Sequence, residues 1–232
     1  MVVQPIVALD VSSRPEADEL LSVLGPACTF VKCGLQLFTA EGPDVVRWLR
    51  DRGKRVFLDL KLHDIPNTVA TTVRAVRGLG AELLTVHAVG GRAMMRAAQD
   101  EAGDVRLLGV TVLTSLNDES LAEVWGRADV SALSDEVSRL AQLACAAGLA
   151  GVVSSVKEAC MLRSVLGRDA LIVTPGIRFS GAAAHDQARV ATPADAAQAG
   201  ATHIVVGRAV TAAPDPAAAL GRVLHELGLA DS

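Results

Sequence analysis

Eight short runs rich in valine, isoleucine and leucine recur along the chain, at residues 6–10, 30–33, 56–61, 83–87, 107–113, 151–154, 171–174 and 204–207. Segments with helical apolar spacing alternate with them, at 15–24, 44–52, 68–78, 93–101, 134–147, 156–166, 193–199 and 216–227, several ending at the glycine that helix C-termini favour. Strands that are apolar along their whole length need cover on both faces, which is the condition of a parallel sheet flanked by helices. Eight such units in 232 residues predict a closed (β/α)8 TIM barrel forming a single domain over residues 1–232. A doubly wound open sheet shares the alternation, but it would gather polar residues near one switch point. Here they mark the ends of most strands: Asp10, Lys32, Asp59 with Lys61, His87, Thr114, Ser154, Thr174 and Arg208. The expected active site is therefore at the C-terminal ends of the strands.

The formal net charge of −4 offers no general attraction to nucleic acid or to an anionic membrane, so neither is an expected partner. An anionic ligand would need a local cluster of arginine, lysine and backbone N–H groups. Cys28, Cys33, Cys145 and Cys160 form no CxxC pair and no zinc-type spacing, which reads as buried, inert thiols in a reducing compartment. No set of His, Asp and Glu calls for a metal. Residues 1–10 lack the basic start and apolar segment of a signal peptide, which predicts a cytoplasmic protein. The longest uncharged stretch, 140–156, is interrupted by Gly148 and Gly151 and reads as a buried helix–strand junction, too short to span a membrane.

The densest chemistry lies in Asp59-Leu60-Lys61-Leu62-His63-Asp64. Side chains alternate across a strand, so with Leu60 and Leu62 facing the helices, Asp59 and Lys61 both point into the barrel mouth. Opposite charges there suit a catalytic pair, and a structural ion pair is the alternative. Asp64 lies just past the strand, followed by Ile65-Pro66-Asn67-Thr68; Pro66 biases Ile65 toward extended backbone, and Thr68 is placed to cap or open the next helix.

The run from Asp59 to Thr68 resembles the signature of the orotidine 5′-phosphate decarboxylases. The resemblance continues in order through Leu9-Asp10, Val31-Lys32 with Gly34, residues 110–115, Thr174-Pro175-Gly176-Ile177-Arg178, Gln187 and Val206-Gly207-Arg208. It implies conversion of orotidine 5′-phosphate to UMP without cofactor or metal, with Asp59, Lys61 and Asp64 as the catalytic set. Lys61 would stabilise a carbanion and deliver the proton, Asp59 would lie close to the substrate carboxylate, and Asp10 and Lys32 would contact ribose. Arg208 with Gly207, Arg178 and Gln187 would hold the phosphate, Gln187 from a closing loop in the glycine- and alanine-rich stretch 179–191. The resemblance further implies a homodimer in which Asp64 and Thr68 reach the partner's active site.

Asp10 and Lys32, taken singly, suit structural rim positions equally well. Thr114 is the expected ligand contact at the end of the fifth strand, with Ser115 as its neighbouring alternative. His63 reads as support for its loop, and His87 as a hydrogen-bonded histidine rather than a ligand. Two rivals share these features: a Mg²⁺-dependent sugar-phosphate relative with the same Asp-x-Lys-x-x-Asp strand, and a silent phosphoribosyl-binding protein. The Ile65-Pro66-Asn67-Thr68 continuation speaks against the first, and the intact Asp59, Lys61 and Asp64 set against the second.

Overall fold

A computed structural model of the chain describes residues 2–126, 133–180 and 191–229. Eight parallel strands, β1 (Gln4–Leu9), β2 (Phe30–Gly34), β3 (Arg55–Leu62), β4 (Leu83–His87), β5 (Arg106–Val110), β6 (Gly151–Val153), β7 (Leu171–Thr174) and β8 (His203–Val206), pair in chain order. β8 returns to β1, with Gln4 opposite His203 and Val7 opposite Val206, and this ladder closes the barrel. The principal helices between strands are Arg14–Leu24, Asp44–Asp51, Pro66–Arg77, Gly91–Glu101, Leu133–Ala146, Val156–Leu166, Pro193–Gln198 and Pro216–Glu226. Four of them carry proline in the first turn, where no intrahelical N–H is lost, and Ser13, Thr192 and Asp215 accept a first-turn N–H as caps.

The single-domain (β/α)8 barrel expected from the alternation is thus the observed architecture. Stretch 140–156 resolves into the end of Leu133–Ala146, a turn with Gly148 at φ 91°, and β6. No helix among the described residues is long and apolar enough to cross a membrane.

Four strands start earlier than their apolar runs, at Gln4, Arg55, Arg106 and His203. These polar side chains form a floor at the N-terminal end of the barrel. Arg55 donates to Gln4 Oε1 at 2.6 Å and grips both oxygens of Glu82 at 2.6 and 2.7 Å, while Arg106 pairs with the same carboxylate. The Arg55 hydrogen bonds hold the Glu82 carboxyl below its usual range. His203 is 4% exposed, and burial, followed by the charges of Arg106 and Arg55, pushes its pKa down to about 4. Above this floor a compact apolar layer of Ile6, Ala8, Phe30, Phe57, Leu83, Leu108, Val173 and Val205 fills the barrel. A second, larger core packs the outward faces of the strands against the helices.

Two expectations need correction. β5 ends at Val110 rather than at residue 113, because its neighbour β6 ends at Val153 and leaves nothing further to pair with. The Thr111 N–H and hydroxyl both donate to the Val153 carbonyl, the last that β6 offers, and Thr114 belongs to the following turn. The thiols are not uniformly buried either. Burial raises Cys28 to about 11 and Cys33 to about 12, but Cys160 is exposed on the helix Val156–Leu166.

Candidate active site

The C-terminal mouth of the barrel holds a cavity of about 390 Å³, lined by Asp10, Lys32, Asp59, Lys61, Thr114, Arg178, Gly207 and Arg208 together with apolar walls from Phe57, Val110, Val112 and Val153. Its size suits one small organic ligand. A larger groove of about 770 Å³ lies at the opposite end, around Arg50, Lys54, Arg77 and Asp104, but chemistry in this fold gathers at the strand C-termini.

The charged wall is a chain of alternating signs. Lys32 Nζ donates to Asp10 Oδ1 at 2.8 Å and lies 3.8 Å from Asp59 Oδ2. Lys61 Nζ donates to both oxygens of Asp59 at 2.9 Å. Strand parity aims these residues inward: Asp10 continues Ile6 and Ala8, Lys32 follows Phe30, and Asp59 follows Phe57, each two residues beyond a side chain of the interior apolar layer. Lys61 arrives by a less regular route. Between the pairs Leu58 with Leu84 and Leu62 with Val86, β3 advances by two more residues than β4, and Lys61 adopts φ 50°. It is the one non-glycine residue at positive φ among the described residues. Simple alternation predicted the inward pair but not this slip.

Gly34, at the end of β2, explains how Lys32 and Asp10 meet. A Cβ there would stand 2.8 Å from Lys32 Nζ and 3.4 Å from Asp10 Oδ1, so glycine leaves the lysine tip the place in which it meets Asp10.

At the opposite side of the mouth, Gly176 turns at φ 85° and leads into Arg178, which is buried, with Nη1 donating to the Ile177 carbonyl at 2.8 Å. Gly207 precedes the short helix Arg208–Thr211, whose Val210 and Thr211 N–H groups return to the Gly207 carbonyl. Arg208 is exposed at the rim and lines the cavity. Thr114 lines the cavity and Ser115 does not.

Asp64 and Thr68 stand apart from this group within the chain. Both are exposed; Asp64 Oδ1 accepts the Ile65 N–H at 2.7 Å, and Thr68 sits in the first turn of Pro66–Arg77. The helix opens at Pro66 with Ile65 extended at φ −59°, ψ 152°, so Thr68 neither caps nor starts it. Gln187 lies outside the described residues.

His87 also departs from expectation. Its buried Nδ1 has no hydrogen-bond partner among the described residues, and its ring packs against His63 with centroids 5.5 Å apart. Burial, then the charges of His63 and Lys61, lower its pKa. Among the described residues, no cluster of three or more His, Cys, Asp or Glu is arranged to hold a metal ion.

A parallel eight-stranded barrel with an acid–lysine array inside its C-terminal mouth and an arginine at the rim defines a (β/α)8-barrel enzyme. The chain belongs to the orotidine 5′-phosphate decarboxylase / HUMPS family, whose profile matches residues 4–223. It is 51% identical to the orotidine 5′-phosphate decarboxylase of Alkalilimnicola ehrlichii over 97% of each chain, and 46% identical to that of Moorella thermoacetica over 96% of this chain and 91% of the relative. The crystal structure of orotidine 5′-phosphate decarboxylase from Lactobacillus acidophilus superposes with a TM-score of 0.86 at 39% identity, covering 97% of this chain and 99% of that one. The Pyrococcus horikoshii structure of the same name gives 0.78 at 26% identity, with coverage of 97% and 99%.

Proposed function

We propose that this chain is an orotidine 5′-phosphate decarboxylase, releasing CO2 from orotidine 5′-phosphate to give UMP in pyrimidine biosynthesis, without metal or cofactor. The observation that carries the reading is the Lys61 ammonium held 2.9 Å from both oxygens of Asp59 inside a mouth of ligand size. When the C6 carboxylate departs as CO2, the bonding electron pair stays on C6, where no carbonyl is placed to delocalise it as a simple enolate. A fixed cation beside C6 stabilises that charge as it develops, and the ammonium then gives its proton to the carbon. A compact, rotatable ammonium suits this dual role better than a planar guanidinium.

In this reading Asp59 faces the substrate carboxylate, and Lys32 and Asp10 contact ribose. Thr114 meets the ligand across the mouth, and Arg208, Gly207, Arg178 and Gln187 hold the phosphate. Binding energy collected at the phosphate then supports catalysis at C6 by keeping the closed site in register. The exposure of Asp64 and Thr68 fits their acting in a second copy, so the working enzyme is a homodimer with two shared sites and Asp64 completes the catalytic set of each. The protein acts in the cytoplasm and engages neither nucleic acid nor membrane.

The family also includes sugar-phosphate enzymes, and the Asp59-x-Lys61-x-x-Asp64 strand is common ground with Mg²⁺-dependent relatives. An absorbance assay of orotidine 5′-phosphate turnover, run with and without EDTA, separates the two. Undiminished turnover in EDTA is the expected result, and absence of turnover on this substrate overturns the assignment.

A further inference from the structure

Thr85 lies in the middle of β4 with its side chain fully buried, behind the cavity wall rather than in it. Its hydroxyl oxygen accepts the Lys61 backbone N–H at 2.9 Å, and its O–H donates to Asp59 Oδ1 at 2.9 Å. Because Lys61 Nζ donates to the same carboxylate, the contacts close into a circuit: from the Lys61 amide through Thr85 and Asp59 back to the Lys61 ammonium. The circuit sits at the slip between β3 and β4, where Lys61 takes its positive φ. Positive φ is unfavourable for a lysine and persists only where surrounding contacts enforce it.

We propose that Thr85 is a positioning residue for the decarboxylation. By joining the Lys61 amide and the Asp59 carboxylate through one oxygen, it fixes the ammonium relative to C6 and fixes which carboxylate oxygen remains turned toward the substrate. A role confined to filling the gap in the ladder would need the bond from the Lys61 amide alone. The second bond, to Asp59, ties the strand geometry to the reacting groups. This inference rests on the reading of Lys61 as the proton donor.

The test compares Thr85→Val, Thr85→Ser and Lys61→Ala in the full-length enzyme, with UMP binding and thermal melting as controls of folding. Thr85→Val keeps the shape and removes both hydrogen bonds; kcat is expected to fall about 10- to 100-fold with KM within about threefold, the scale of a displaced reacting group. Thr85→Ser restores the hydroxyl and is expected to keep kcat within about threefold of the parent. Lys61→Ala is expected to lose about 1,000-fold or more. Parental kcat in Thr85→Val beside an inactive Lys61→Ala overturns the positioning role while leaving the lysine's role standing. An active Lys61→Ala overturns both. Should Thr85→Val not fold, Thr85→Cys replaces it, because a thiol hydrogen-bonds weakly at similar size; equal kcat for the Cys and Ser variants overturns the proposal.

Discussion

Lys61 Nζ stands 2.9 Å from each carboxylate oxygen of Asp59, and the same lysine carries the single positive φ outside glycine among the described residues. A bent backbone and a shared carboxylate thus meet in one side chain, and the ammonium is placed by the chain path as well as by its charge partner. Replacing Asp59 by asparagine keeps the shape but removes the negative charge that faces Lys61 and Lys32. Asp59→Asn is expected to lower kcat/KM by about 100-fold or more at neutral pH, as expected for loss of preorganised charge. Steady-state kinetics on the purified variant check this, and a loss below about threefold would count against Asp59 as a reacting group.

Arg208 sits across the mouth from the lysine, so its effect should depend on the phosphate alone. Arg208→Ala is expected to reduce kcat/KM for orotidine 5′-phosphate by roughly 100-fold, in keeping with loss of a charge-assisted forked contact, while turnover of the phosphate-free nucleoside stays unchanged. A variant that keeps the parental kcat/KM for the phosphorylated substrate refutes the phosphate assignment.

Gly34 allows a separation of stability from activity. A methyl group at this position meets the end of a flexible lysine, so Gly34→Ala should melt within a few degrees of the parent. It must nevertheless displace Lys32 Nζ from its present place beside Asp10, and kcat/KM is expected to drop about tenfold through the disturbed ion pair. Parallel melting curves and kinetics decide whether the two properties divide in this way.

Asp64 is exposed in the isolated chain, and the proposed dimer makes a specific demand of it. Lys61→Ala and Asp64→Ala chains, each inactive alone, should regain activity on subunit exchange, because one site of the mixed dimer keeps both residues. Confirmed heterodimers that stay inactive rule out a shared site.

His203 gives the floor of the barrel a pH dependence of its own. Its pKa is about 4 when folded and near 6.5 when exposed, so below pH 6.5 the unfolded chain binds a proton that the folded chain does not. Stability is therefore complete above about pH 6.5 and declines as pH falls toward 4, by about 3 kcal/mol in all from this residue. Denaturant unfolding of the parent and of His203→Gln between these pH values should show a shallower decline in the variant. Equal slopes would remove His203 as the cause.

The barrel was legible because its evidence is repeated: eight apolar runs and the helical segments between them pose the same packing problem again and again, and one architecture solves it. The rim residues were legible for a related reason, since strand parity and strand ends fix where a side chain points. Thr85 was not, because a threonine inside an apolar strand has the look of any β-branched strand former until its hydroxyl is seen between two partners on another strand. The slip in β3 escaped for the same cause, as hydrophobic alternation is preserved when two residues are inserted together. The polar floor was hidden as well: Arg55, Glu82, Arg106 and His203 each lie at the edge of an apolar run, where a lone polar residue reads as a turn. Their meeting depends on closure of the sheet.

The apolar layer around Phe30 and Phe57 lies between that floor and the mouth, with Arg55 and His203 packed against the Phe30 ring from the floor side. It works as a spacer. Arg55 and His203 press on its lower side and the cavity opens above its upper side, so residues of the floor can be exchanged without touching a side chain that lines the mouth, and tolerance of heat or acid can evolve at one end of this barrel through local packing.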